Sequence, residues 1–150
     1  MTDTISGAKA PLSFWLVAGL SLLWNSFGCF DYTMTQLDPV GYMKSMQMSD
    51  ESIAYMGTMP SWLTGFWALG VWGSLAGSVL LLLRSRHAVT AFVISLVGLA
   101  VSQLYQWFAG ETMPAEMTKP GMIAVQALIW ISLLFFIWFA RRAQAQGVLR

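Results

Sequence analysis

Four apolar runs, each about as long as a bilayer-crossing helix, constrain this chain more than any other feature. A helical span needs about 20 mostly apolar residues. Residues 11–30, 61–83, 88–109 and 121–140 each meet that condition, and no charge lies between Lys9 and Asp31. The runs lack the period-two alternation of barrel strands, and in hydrocarbon only a helix or a closed barrel satisfies its own backbone. The expected fold is all-α: a membrane-spanning four-helix bundle forming one domain over residues 1–150. The composition agrees, with 57% apolar and only 10% charged residues. An ordinary soluble domain carries roughly 25% charged residues, and a small soluble chain has too much surface to hide this much hydrocarbon. The first run follows a lysine, as a secretory signal does. Its apolar core exceeds the roughly 7–15 residues of a signal, and no small-x-small cleavage site follows, so it is read as a retained helix.

The charges are sorted by loop. Lys9 precedes the first run, Arg84 and Arg86 follow the second, and Arg141, Arg142 and Arg150 follow the fourth. The other two loops hold only Lys44 and Lys119, beside Asp31, Asp38, Asp50, Glu51, Glu111 and Glu116. Basic residues mark the cytoplasmic side of membrane helices, so both termini and the Arg84–His87 turn are expected in the cytoplasm. The net charge of +1 offers no electrostatic case for nucleic acid.

The long connection 33–60 carries two helix-start signals. Asp38 before Pro39 joins a capping carboxylate to a proline suited to the first helical position, and Ser49-Asp50-Glu51 repeats the logic. Short helices are expected over Pro39–Met48 and Asp50–Met56, with Gly57 as a stop. Residues 110–120 read as an outer turn, Arg84–His87 as a tight inner turn, and Ala143–Arg150 as a frayed helix end.

In lipid, small residues and polar side chains mark helix contacts. Gly70, Gly73 and Gly77 line one face of the second span beside Ser74 and Ser78, which favours packing inside the monomer over homodimerisation. Ser21, Asn25, Gly28 and Tyr32 share a face of the first span, within about 60° at 100° per residue. Ser95, Ser102 and Gln106 share one on the third, with Gln103 nearby, and Gln126 stands near the start of the fourth. With the expected orientation, Asn25, Asp31, Tyr32, Gln103, Gln106 and Gln126 fall in outer halves, whereas Val79–Leu83, Phe92–Ile94 and Leu133–Phe139 are hydrocarbon. The pattern suggests a polar cluster open to the outside, either structural glue or a ligand pocket. Trp62 and Trp107 at the outer ends, and Trp15 and Trp138 at the inner ends, read as interface anchors.

Catalytic patterns are missing from the sequence. His87 sits among basic residues without a neighbouring acid or nucleophile, and the single Cys29 excludes an intrachain disulfide. No phosphate-binding loop or metal-ligand spacing occurs, so no cofactor is expected. Met43, Met46 and Met48 are soft donors of the kind that select Cu(I), yet methionine also covers irregular apolar surface well.

Leu23–Thr35 (LWNSFGCFDYTMT), Met59-Pro60-Ser61-Trp62 and Trp67–Gly73 (WALGVWG) resemble a family of small uncharacterised bacterial inner-membrane proteins, whose members are labelled hypothetical or "sugar transporter". The resemblance runs from about Pro11 to Phe108. It implies a four-helix protein of the bacterial cytoplasmic membrane and brings no catalytic residues. The combined expectation is a non-enzymatic accessory or binding subunit with a periplasm-facing polar cluster. A component of a small-solute, sugar-like transporter is the alternative, and Cu(I) handling a third. The bilayer is the expected partner, with a homo-oligomer or a larger membrane complex left open.

Overall fold

A computed structural model describes residues 8–109 and 112–150. Glu111, counted above among the acidic loop residues, lies outside them. The described residues are helical with no strand: α1 (Leu12–Leu37), α2 (Pro39–Ser45), α3 (Asp50–Gly57), α4 (Ser61–Leu82), α5 (His87–Phe108), a 3-10 turn (Ala115–Thr118) and α6 (Pro120–Ala145). Four of these, α1, α4, α5 and α6, are long and apolar enough to cross a membrane.

The short helices begin where capping chemistry places them. The Asp38 carboxylate accepts from the Gly41 amide at 3.0 Å, with Pro39 at the first helical position. The Ser49 hydroxyl accepts from the Ser52 amide at 3.2 Å, and Asp50 and Glu51 occupy the positively polarised first turn. α2 stops at Ser45 rather than Met48, because Gln47 turns into the left-handed region (φ 61°) and the Met48 amide bonds back to Met43.

Two sequence expectations need correction. The first run does not end at Phe30. Its helix continues to Leu37, about 10 Å further at 1.5 Å per residue. Neither glycine nor proline interrupts it before Pro39, and the Thr33 and Thr35 hydroxyls bond back to the Cys29 and Asp31 carbonyls at 2.7 and 2.8 Å. Nor is the stretch after Arg142 frayed. α6 runs to Ala145, Gly147 reverses the chain at φ 71°, and Val148 and Leu149 are buried. Arg150 then exchanges two backbone hydrogen bonds of 2.7 Å with the α4–α5 turn, donating to the Arg84 carbonyl and accepting from the Arg86 amide. The Arg84 guanidinium donates to the carbonyls of Val148 and Ala8. Residues 146–150 therefore form a strap across one end, which we call the basic end.

The tightest seam joins α4 to α5. A Cβ added to Gly98 would lie 2.6 Å from both the Gly70 amide nitrogen and the Phe66 carbonyl oxygen. One added to Gly73 would meet Ser95 at 3.2 Å, and one on Gly77 would meet the Phe92 ring at 2.7 Å. The Ser95 hydroxyl donates to the Gly70 carbonyl across the same seam. The glycine stripe is thus consumed within the chain. α1 lies against α4 through Asn25, Cys29 and Tyr32. α6 is held in the basic half, where its Phe136 stacks on Phe92 at 5.8 Å and its Phe139 on Phe14 at 5.9 Å. The Trp24 indole N–H donates to Ser132 at 3.1 Å.

The buried core follows the same division. Phe14, Ala18, Leu81, Ala88, Phe92, Leu133, Phe136 and Ala140 gather toward the basic end. Leu16, Leu20, Leu23, Phe27 and Phe30 of α1, with Val93 and Val97 of α5, face outward. Apolar side chains both inside and outside the packing suit a hydrocarbon solvent rather than water. Trp15 and Trp138 are exposed at the basic end, and Trp62 and Trp107 at the opposite end.

The Gly98 contact makes a sharp prediction. Gly98→Ala forces backbone apart and lowers stability by about 1–3 kcal/mol, the usual range for overpacking. Gly19→Ala, where nothing lies within 4 Å of the new Cβ, does not lower it. Thermal unfolding of both variants in detergent measures the difference.

Candidate functional site

No hydrogen bond joins any two of the six polar residues among the described residues. Asn25 Nδ2 donates to the Ser78 hydroxyl at 2.9 Å, and that hydroxyl donates to the Ser74 carbonyl at 3.1 Å. Ser78 adjoins Gly77, which packs on Phe92, so the Asn25 amide lies toward the basic end. The reason is directional. Side chains on a helix tilt toward its N-terminus, and the N-terminus of α1 is at the basic end. Asn25 is therefore a link between α1 and α4. Cys29 is another, its thiol donating to the Val71 carbonyl at 3.3 Å.

Asp31 and Tyr32 are higher on α1, with different partners. Asp31 accepts from the Tyr42 hydroxyl at 2.9 Å and so ties α1 to α2. Burial pushes the Tyr42 hydroxyl up from its ordinary pKa, and the hydrogen bond to Asp31 and its negative charge push the same way. The Tyr32 ring meets Trp67 of α4 edge-on at 5.0 Å.

The glutamines come closest to the expected grouping. Gln103 is buried, at 6% exposure, while Gln106 and Gln126 are partly buried. From the Phe92–Phe136 contact, a rise of about 15 Å at 1.5 Å per residue brings Gln126 of α6 level with Ser102 and Gln103 of α5. At this end of the molecule α6 is poorly covered. Met122, Ile123, Val125 and Leu128 are all exposed. Among the described residues two donors are buried without a hydrogen-bond partner, the Ser102 hydroxyl and the Trp130 indole N–H. A buried donor left unpaired costs about 1–3 kcal/mol. Ser102 was visible in the sequence as part of a polar stripe. Trp130 was not, because nothing in an apolar run distinguishes an anchoring tryptophan from one that faces a neighbour.

The connecting segments form a platform at the end opposite the strap. Glu116, in the 3-10 turn, accepts through one oxygen from the Ser49 amide at 3.0 Å, the Ser49 hydroxyl at 2.7 Å and the Ser52 hydroxyl at 2.7 Å. The Ser52 hydroxyl, then the Ser49 amide and hydroxyl, with Lys119 adding positive charge, outweigh desolvation and lower the Glu116 pKa from 4.5 to about 2. This staple joins the two acidic loops across the chain. Lys44 and Asp50 approach at 3.9 Å but are both well exposed, and such a pair contributes little.

Met43 in α2 and Met46 just after it do not share one environment: Met43 is 7% exposed and Met46 54%. Among the described residues no three His, Cys, Asp or Glu side chains gather as a metal site. Compared with known protein families, curated proteins and solved structures, the chain matches none.

Two outcomes follow from these contacts. The Glu116 staple is lowered in pKa by the ordered arrangement, so its contribution is fully present above about pH 4.5 and is lost as pH falls toward 2. The protection factors of the Ser49 and Ser52 amides, which remove the intrinsic pH dependence of exchange, should therefore fall over that interval, and Glu116→Gln should show low protection already at neutral pH. A double-mutant cycle with Asn25→Ala and Ser78→Ala in detergent unfolding should return a coupling of about 0.6–1.7 kcal/mol, the range for hydrogen bonds between membrane helices.

Proposed function

We propose that the chain is a non-enzymatic, multi-pass protein of the bacterial inner membrane that serves as an accessory or binding subunit. Both termini and the strap face the cytoplasm, and the Glu116 platform faces the periplasm. The segregation of Lys and Arg to the basic end supports that orientation. The working surface is the periplasmic half of α6, where a partner's transmembrane helix lies against Val125 and Leu128.

One observation carries the reading. Met122, Ile123, Val125 and Leu128 are all exposed on the half of α6 away from the aromatic contacts that hold its other half. A membrane helix left without packing along half its length offers a face on which a second polypeptide can gain van der Waals contact. The Glu116 staple supports it by holding the 3-10 turn ahead of α6 against the Ser49–Ser52 segment. Asn25, by contrast, serves the internal α1–α4 seam.

Photo-crosslinking in native membranes tests the reading. A photoreactive residue at Val125 or Leu128 should give one discrete heterologous adduct, while the same group at Leu16 or Leu20 on the outer face of α1 should give only lipid adducts. Lipid adducts alone at all four positions would sink the proposal. Solute uptake by vesicles containing this chain alone, abolished by Gln103→Leu, would replace it with transport.

A further inference from the structure

A cleft of about 380 Å³ opens at the basic end between the start of α1 and the end of α6, lined by Ser13, Phe14, Phe135, Trp138, Phe139 and Arg142, among others. A second, of about 500 Å³, lies on the other side of Trp138 and Arg142 and includes Leu134, Ile137 and Arg141. Trp138 and Arg142 border both. The Arg142 guanidinium lies 5.4 Å from the Trp138 ring centre, so the two side chains form a ridge between the clefts. Each cleft is graded along its length: Phe135 and Leu134 are nearer the middle of α6, and the arginines are in its last turns.

No acidic side chain among the described residues pairs with the charges here. The only ion pair among the described residues is Lys44–Asp50, and the described acids, Asp31, Asp38, Asp50, Glu51 and Glu116, all belong to the other half of the molecule. Arg84 is occupied by the carbonyls of Val148 and Ala8. Arg141 and Arg142 make no hydrogen bond among the described residues. Helix α1 opens beside Arg142 with no side-chain cap and no acidic residue in its first turn, so its amides add positive potential at the mouth of the first cleft.

We propose that this ridge and its two clefts bind one anionic phospholipid. The lipid phosphate sits on Arg141 and Arg142 near the start of α1, and the acyl chains descend on either side of Trp138. Three features select a lipid over a soluble anion. The clefts are continuous with the apolar exterior, their floors are phenylalanine and leucine, and the cationic groups sit at the polar rim only. Arginine suits phosphate because its planar fork donates two parallel hydrogen bonds. The site rests on the four long helices spanning a membrane, but not on the partner interface proposed for α6.

The test is native mass spectrometry of the whole chain released from detergent containing phosphatidylglycerol or phosphatidylcholine. Wild type should retain one phosphatidylglycerol in preference to phosphatidylcholine. Arg141→Ala with Arg142→Ala should reduce that retention by about 10- to 30-fold, the effect of removing two arginines near an anionic lipid surface. Lys44→Ala should leave it unchanged. Equal retention of the two lipids, or an unaffected double variant, would overturn the site. Displacement of the lipid by millimolar inorganic phosphate would overturn it in favour of a free-anion site. Should the double variant not fold, brominated-chain lipids give a second measurement. Fluorescence lost on going from wild type to Trp138→Phe isolates Trp138, which should be quenched more by brominated phosphatidylglycerol than by brominated phosphatidylcholine; equal quenching rejects the proposal. Failure of the α6 crosslinks leaves these outcomes unaltered, so the two ideas fall separately.

Discussion

The close approach of α4 and α5 is the contact on which the remaining packing depends. Hydrocarbon tails are as apolar as leucine, so membrane helices gain little from burying leucine against leucine. What holds them is dense van der Waals contact, and that requires backbones to come near each other. Gly98 against Gly70 and Phe66 achieves this at a separation that excludes a Cβ. Ser95 adds a hydrogen bond to a backbone carbonyl in the same seam. Once the two helices are joined, Ser78 and Val71 of α4 present the acceptors that α1 meets through Asn25 and Cys29.

α6 joins on different terms. Its contacts are aromatic, Phe136 on Phe92 and Phe139 on Phe14, with one indole-to-hydroxyl hydrogen bond from Trp24. They are confined to the basic half, where the strap of Val148–Arg150 also locks the end of α6 to the α4–α5 turn. Among the described residues the opposite half of α6 has no comparable clamp beyond the 3-10 turn that precedes it. The molecule is consequently asymmetric: closed and hydrogen-bonded at the basic end, with an exposed helix and orphaned donors toward the other. The lipid site and the partner surface draw on these two halves respectively.

Much of this was legible in the sequence. The four long helices follow from run length, and the start of α2 follows from Asp38 beside Pro39 because local capping needs no tertiary information. The glycine stripe of α4 was visible as well, and in the structure it lies against α5. Gly98 was harder, since a lone glycine in an apolar run gives no sign that a neighbouring backbone lies against it. The extension of α1 to Leu37 was hidden because loss of hydrophobicity marks where a helix leaves hydrocarbon, not where it stops being a helix. The strap was hidden for a related reason: its hydrogen bonds are accepted by backbone carbonyls of Arg84, Val148 and Arg150, which carry no side-chain signature.

The polar residues show the same boundary between local and global information. Their presence and approximate depth were set by the chain, because depth follows from counting residues along a helix. Their partners were decided only by the tertiary structure. Asn25 looked like a neighbour of Gln103 and Gln126 until helix direction and rotation turned its amide down to Ser78. The sequence alone determined that four apolar helices form, where the short outer ones begin and how charge is divided between the ends, since each depends on residues close in the chain. Tertiary structure decided which donors are satisfied and which are left open, because a hydrogen bond between helices depends on rotation and tilt that no single helix specifies.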